Sequence, residues 1–211
     1  MSSPPPHYFA AEPDGPMRRR QLEVQLAGRR VTVVTAPGVF CPDRLDLGTS
    51  VLLRHVPPPP QTGALLDLGC GWGPIALTQG MLAPAAQVWG VDVNRRALQL
   101  LTENAALLRL PNVTAVLPPD LPAGTTFSTI WSNPPVRIGK PALHELLLAW
   151  LPRLRPGGTA YLVIQRHLGS DSLQTWLSRA LPDMEVTRAA SSKGFRVLAV
   201  TRPAPSLDSP A

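Results

Sequence analysis

The chain has 211 residues, of which 44% are apolar and 16% are charged. It can therefore bury a core, and wholesale disorder is excluded. Its 26 prolines follow no Gly-X-Y period, which excludes collagen. Two cysteines can form neither a disulfide scaffold nor a four-cysteine metal site. No metal site and no membrane span are expected, and without a signal pattern a cytoplasmic location is the default.

The net charge of +6 and a pI near 10.3 favour a polyanionic partner. Arginine supplies most of this charge, and its guanidinium can bind phosphate with two parallel hydrogen bonds. A GC-rich coding bias would also raise the arginine content. From charge alone, nucleic-acid binding and coding bias both stay open.

The first 60 residues predict a flexible start and a small extension. Residues 1–20 contain five prolines and are expected to be flexible. Within residues 21–60, the alternating runs QLEVQL and RRVTVVT surround Ala27-Gly28, a pattern typical of a β-hairpin. A structured loop follows, and then a short helix over TSVLLRHV, which the prolines at 57–60 end.

Residues 61–202 alternate between strand and helix patterns, which favours a parallel sheet covered on both faces. The last two strands surround SSKGF and are expected to form an antiparallel hairpin at the end of the sheet. Residues 203–211 are expected to be a flexible tail. The seven predicted strands are ALLDL, QVWGVDV, VTAVL, STIWS, AYLVI, MEVTRA and FRVLAV, and the helices are GPIALTQGML, NRRALQLLTENAALLRL, LHELLLAWLPRL and DSLQTWLSRAL.

The run LLDLGCGWG at residues 65–73 is the most informative motif. An apolar strand ends in a carboxylate, Asp67, and three alternate glycines lead into a helix. Such glycines let the backbone approach a ligand. Their spacing differs from the Gly-x-Gly-x-x-Gly of dinucleotide folds, and Asp67 would suit a cationic or amine-bearing ligand better than a phosphate. The alternative is an ordinary strand-to-helix turn.

Two further strand ends carry polar groups. Asp92 ends QVWGVD and could accept hydrogen bonds from both ribose hydroxyls, or it could cap the next helix, a role that Asn94 fits well. Asn133-Pro134-Pro135 follows STIWS. The Asn133 amide oxygen and the Pro134 carbonyl could both accept from one planar NH₂ group, or the segment could be only a turn.

These three elements, in this order, resemble the class I S-adenosylmethionine-dependent methyltransferases, and Asn133-Pro134-Pro135 resembles the signature of enzymes that methylate planar or amide nitrogens. The flanking runs PGVF, LDLGT, NPPVRIGK and GFRV resemble the methyltransferase small domain family. Within it, the nearest resemblance is to ribosomal RNA enzymes that methylate the exocyclic N2 of a guanine. The resemblance spans about residues 30–202.

The resemblance implies a Rossmann-like, seven-stranded, mostly parallel sheet in one methyltransferase domain at 21–202, with an extension at 21–60 and a catalytic core at 61–202. It implies S-adenosylmethionine as cofactor and ribosomal RNA or the small ribosomal subunit as partner, with a monomer favoured. The implied catalytic residues are Asn133, Pro134 and Pro135, the cofactor-binding residues are Asp67, Gly69, Cys70, Gly71, Gly73, Asp92, Val93 and Asp120, and the substrate-binding residues are Phe40, Val136, Arg137 and Lys140.

The sequence departs from the family pattern at two positions. Val136 stands where an aromatic residue usually stacks on the target base, so Phe40 is the candidate replacement. Pro118-Pro119 displace Asp120 from the position at which the acidic residue of the family contacts the adenine amine of the cofactor.

Three other functions stay open. The first is methylation of a protein glutamine or of adenine N6, which the valine at position 136 weakens. The second is a non-catalytic RNA-binding module, although every residue of the three motifs is present. The third is a nicotinamide-dependent oxidoreductase, which the glycine spacing disfavours.

Overall fold

The computed structural model describes residues 16–205, so most of the predicted flexible start and tail lies outside the described residues. A seven-stranded sheet forms the centre of the molecule, in the order β5-β4-β3-β6-β7-β9-β8. Strands β3 to β7 pair in parallel, and β9 pairs antiparallel with both β7 and β8. The bounds are β3 Ala64–Leu68, β4 Gln87–Val91, β5 Val113–Val116, β6 Phe127–Ser132, β7 Leu154–Gln165, β8 Glu185–Ser192 and β9 Phe195–Thr201. The predicted fold class is confirmed.

The predicted N-terminal hairpin is present as β1 (Arg20–Leu26) and β2 (Arg29–Thr35). Ala27 and Gly28 both have positive φ, at 48° and 74°, as the two-residue turns that match strand twist require. The hairpin is fastened to the core by the buried Asn104, whose side chain bonds both the amide and the carbonyl of Val34.

Helices cover both faces of the sheet, and their bounds are α1 Leu47–His55, α2 Pro74–Leu82, α3 Arg95–Leu107, α4 Lys140–Trp150 and α5 Ser170–Ala180. Helix α1 begins two residues earlier than predicted because Asp46 caps it, accepting from the amide of Thr49. Helix α4 ends earlier than predicted, and a short 3₁₀ turn at Leu151–Arg153, which contains Pro152, leads into β7.

The core lies on both faces of the sheet, which explains why its central strands have almost no polar alternation. All six residues of β6 are buried. Within the described residues, no helix is long and apolar enough to cross a membrane. No group of three His, Cys, Asp or Glu side chains in residues 16–205 could hold a metal ion.

Strand order reverses between β3 and β6. The chain runs outward from β3 to β4 and β5, and then returns to place β6 on the other side of β3. The loops that leave β3 and β6 therefore diverge and open a crevice at the carboxyl ends of the strands, where open α/β sheets bind ligands.

Candidate active site

A cavity of about 350 Å³ lies at this crevice. This volume is in the range of small-molecule sites. Its glycine-loop side is formed by the ends of β3 and β4, including Gly69, Gly71 and Asp92. Its Asn133 side is formed by the residues after β6, together with residues contributed by the loop before α1 and by β7 and β9. All three predicted motifs, which are separated in the chain, therefore meet in one cavity.

The glycine loop turns sharply over the end of β4. The amides of Gly69 and Cys70 both donate to the carbonyl of Val91, at 2.8 and 3.0 Å. Gly73 has a φ of 101°, and a Cβ there would lie 2.4 Å from the Leu101 side chain. Only glycine fits this position, where the chain turns into α2 against α3.

Asp67 lies behind the cavity wall and is fully buried. Its Oδ2 accepts, at 2.9 Å, from the amide of Ala76, which is the third residue of α2. Since Gly73 has no side chain to cap α2, Asp67 supplies that cap from the neighbouring strand. Burial is the main reason that its pKa is raised to about 8. The structure thus gives Asp67 a helix-capping contact, whereas a direct ligand contact was expected.

Asp92 reaches the cavity from the end of β4. Its Oδ2 accepts from the Gly71 amide and its Oδ1 from the Asn94 amide, both at 2.9 Å. A carboxylate has about four acceptor sites, so Asp92 keeps acceptor capacity for a ligand hydroxyl. Desolvation raises the pKa of Asp92, against the effect of its backbone hydrogen bonds. Asn94 caps α3, accepting from the amides of Arg96 and Ala97, so the capping role falls to Asn94 as predicted.

The loop before α1 is held against the core by side chains of other elements. Asn94 donates to the carbonyl of Gly38 at 2.8 Å, and Arg96 donates to that of Pro37 at 2.6 Å. The buried indole of Trp72 donates to the carbonyl of Cys41 at 3.3 Å. These contacts place Phe40, Cys41, Arg44 and Asp46 along the cavity.

Asn133 is oriented by two neighbours that the sequence analysis did not identify. Its Nδ2 donates to Asp46 Oδ2 at 2.8 Å and to Thr49 Oγ1 at 3.0 Å. Both amide hydrogens are therefore used, and no described residue donates to its Oδ1. The end of the amide that stays available to the cavity is the acceptor, which suits an amine ligand.

Pro134 and Pro135 form a tight turn after Asn133. The amide of Val136 donates to the carbonyl of Pro134 at 2.8 Å, and Pro135 has φ −75° and ψ 71°, the geometry of an inverse γ-turn. The Pro134 carbonyl, predicted as a second acceptor for an amine, thus already accepts one bond and keeps one lone pair.

The Asn133 side of the cavity has aromatic and polar walls. Phe40, predicted as the stacking residue, lines it and is 41% exposed. Val136 and Arg137, predicted to bind the substrate, also line it. The cavity is also lined by Phe195, Gln165 and Arg44, which were not predicted from the sequence. Of these three residues, only Phe195 belonged to a run noted in the sequence, the closing GFRV.

Besides Asp67, four predicted site residues lie outside the wall of this cavity. Cys70 is buried, and burial raises the pKa of its thiol well above its usual value, which agrees with a filler role. Gly73 lies at the end of the glycine loop, as the N-cap residue of α2. Asp120 is exposed, because the prolines before it form a short 3₁₀ turn, and Pro118 lines the cavity there. Lys140 is exposed at the first position of α4.

Comparisons with known proteins agree on one family. A family model described as "Methyltransferase small domain" matches residues 30–199. The chain is 36% identical over 180 residues to the ribosomal RNA small subunit methyltransferase C of Ectopseudomonas mendocina (strain ymp), covering 75% of this chain and 52% of that protein. It is 28% identical over 195 residues to the uncharacterized protein YbxB of Bacillus subtilis (strain 168), covering 91% and 96%. The chain thus spans about half the length of the small-subunit enzyme.

Solved structures show the same fold. The T. thermophilus 16S rRNA N2 G1207 methyltransferase, in complex with AdoMet and guanosine, superposes with a TM-score of 0.76 at 23% identity, over 89% of this chain and 51% of that chain. M. jannaschii TYW2 in complex with AdoMet gives a TM-score of 0.59 at 14% identity, over 87% and 85%. At such identities the likeness concerns the fold.

Proposed function

The chain belongs to the methyltransferase small domain family, and from that premise we propose that it methylates the exocyclic N2 of a guanine in small-subunit ribosomal RNA. Membership of a methyltransferase family confirms the expected cofactor, S-adenosylmethionine. The observation that carries the proposal is the orientation of Asn133, whose amide nitrogen is bound by Asp46 and Thr49 while its oxygen accepts from no described residue, in a cavity that Asp92 also lines.

The residues of the glycine-loop side fit this cofactor. Gly69 and Gly71 leave the loop without side chains beside the cavity, and Asp92 keeps lone pairs that suit ribose hydroxyls. Val93, 45% exposed, adds an apolar wall next to Asp92. When bound, S-adenosylmethionine would supply a methyl group on a positively charged sulfur. Among the residues named from the sequence, Gly69, Gly71, Asp92 and Val93 are those we propose to hold it.

The residues of the Asn133 side fit a planar amine acceptor. The Asn133 oxygen can accept one hydrogen of an NH₂ group and so orient the amine nitrogen toward the glycine-loop side. A neutral aromatic amine needs no strong base before attack at a methyl carbon. Among the described residues 16–205, no histidine lines the cavity, and burial is the main cause that raises the pKa of the Cys41 thiol.

Ribosomal RNA as the partner is supported by two features of the chain. Its net charge is +6, and Arg137 lies exposed at the cavity beside the Asn133 turn, with Lys140 three residues on. A base that enters the cavity must leave its stack, which brings its flanking phosphates to this rim. The expected cytoplasmic location and monomeric state accompany this proposal and stay predictions.

The proposal is tested by offering the protein several acceptors with methyl-labelled S-adenosylmethionine. The acceptors are small-subunit rRNA, the intact small subunit and large-subunit rRNA, all from cells that lack this gene, and a glutamine-containing peptide. We expect label in the small-subunit RNA, free or assembled, and at least about 100-fold slower labelling with the Asn133→Ala variant. Label in the peptide alone would replace this proposal with the protein-glutamine alternative.

A further inference from the structure

We infer that Asp46 and Thr49 are positioning residues for the methyl transfer, because they fix which end of the Asn133 amide faces the acceptor. The inference rests on the proposed function for its catalytic meaning. Both residues precede or begin α1, more than eighty positions from Asn133 in the chain.

The chemistry of the amide makes this orientation consequential. Its oxygen only accepts hydrogen bonds and its nitrogen only donates them. An amine acceptor needs its hydrogens held and its lone pair free. Should the amide turn over, the Nδ2 group would face the amine as a donor and would compete for that lone pair.

Asp46 decides between the two orientations. A carboxylate can only accept, so its Oδ2 can bind the nitrogen end of the amide and would repel the oxygen end. The same oxygen also accepts from the Thr49 amide and caps α1. The helix cap therefore holds the carboxylate in place for Asn133.

Thr49 accepts the second Nδ2 hydrogen through Oγ1 at 3.0 Å, and the side chain is 3% exposed. Without that hydroxyl, one amide hydrogen of the half-buried Asn133 would lose its partner, which is costly. The amide would then be held by Asp46 alone and would be less firmly fixed.

The packing around Gly48 supports this arrangement. A Cβ at Gly48 would lie 3.0 Å from Asp46 Oδ2 and 2.9 Å from the ring of Phe195. Because Gly48 has no side chain, the ring of the cavity-lining Phe195 and the carboxylate of Asp46 can pack closely together at the start of α1.

The matched pair Thr49→Val and Thr49→Ser carries the test, because replacing Asp46 would also remove the cap of α1. Valine keeps the shape of threonine without the hydroxyl, and serine keeps the hydroxyl. We expect Thr49→Val to lower kcat about tenfold or more, as for loss of one bond to a group that orients the reacting atoms, with unchanged cofactor affinity. Thr49→Ser should stay within about twofold of the parent protein.

The control is Thr129→Val, the same change at another buried threonine. Thr129 is 2% exposed, lies in the middle of β6 and donates to the carbonyl of Thr159 at 2.6 Å. It loses an equivalent hydroxyl away from the cavity, so kcat should change less than about twofold.

A second readout needs no methyl acceptor. The side-chain NH₂ of Asn133 gives a pair of NMR signals, identified by their loss in Asn133→Ala. We expect slow hydrogen exchange of this pair in the parent protein and in Thr129→Val, and faster exchange in Thr49→Val. Unchanged exchange in Thr49→Val, or unchanged kcat in an active enzyme, would overturn the inference. Faster exchange in a protein that methylates no RNA would refute the proposed substrate and leave the orientation supported.

Discussion

The two sides of the cavity are built in different ways. On the glycine-loop side, Asp92 binds the Gly71 amide over a separation of 21 residues, within one strand-helix-strand unit. On the Asn133 side, the amide is held by Asp46 over a separation of 87 residues. The glycine-loop side depends on contacts within one local unit, whereas the Asn133 side forms only when the loop before α1 has docked on the sheet. Changes on the two sides should therefore have separable effects.

Removing the Asn133 side chain should give the largest effect and act on turnover. Asn133→Ala is expected to lower kcat at least about 100-fold, because it removes the acceptor that orients the amine. Cofactor affinity should stay within about threefold of the parent, since that side of the cavity is intact. Methyl-transfer kinetics and calorimetry measure the two quantities. A parallel collapse of cofactor affinity would make Asn133 a structural residue of the turn.

Removing the Asp92 carboxylate should act on the other side. Asp92→Ala is expected to weaken S-adenosylmethionine binding by about 1.5–3 kcal/mol, the range for hydrogen bonds to a charged group. Calorimetry with the cofactor checks this value. The control is Asp183→Ala, an exposed carboxylate away from the cavity, which should bind the cofactor like the parent. Equal affinity in both variants would remove Asp92 from the cofactor site.

The pH dependence of stability tests the role of Asp67. Its pKa is about 8 in the folded protein against an ordinary 3.8, so the folded state holds a proton that the unfolded state has lost between these values. The free energy of unfolding should therefore fall as pH rises through this window, by up to about 1.4 kcal/mol per pH unit from this group. Asp67→Asn, which keeps an acceptor for Ala76, should reduce that fall.

Urea unfolding of both proteins at pH 5 and pH 7 measures this difference. A fall of equal size in the parent and in Asp67→Asn would mean that Asp67 is already ionised in the folded protein. An ionised Asp67 would fit the charged ligand contact expected from the sequence better than the role of a buried helix cap.

The smallest effect concerns the rim of the Asn133 side. The double change Arg137→Ala with Lys140→Ala should flatten the log-log dependence of RNA affinity on salt by about one to two units, because two phosphate contacts are lost. The matched control is Arg155→Ala with Arg179→Ala, which removes the same charge from exposed positions at the start of β7 and the end of α5. Equal slopes in the two double variants would assign the effect to net charge and not to the rim.

The sequence predicted well those features that depend on neighbouring residues. The alternating runs around Ala27-Gly28 predicted the hairpin, because period-two patterning and a glycine at the turn are both local signals. Asn94 was predicted as the cap of α3, and the glycine loop was placed between strand and helix. In each case the residue type, the local backbone and the contact lie within a few positions of one another.

Features that depend on tertiary packing were missed or misplaced. Asp67 was expected at a ligand, but β3 is buried on both faces, and the side chain points to the start of α2. Asp46 and Thr49 were noted only as part of the LDLGT run, because nothing near them in the chain reveals Asn133 as their partner. Asp120 was placed by analogy, and the turn at its prolines takes it out of the cavity.

The most direct test of the account is the identity of the methylated nucleoside. Small-subunit rRNA labelled by the parent protein is digested to nucleosides, and the labelled product is separated and identified by mass spectrometry. The account predicts N2-methylguanosine, since the Asn133 oxygen is placed to hold a planar exocyclic amine. A methyl group on a ribose hydroxyl or on a ring nitrogen would contradict it, because neither presents an NH₂ group to Asn133.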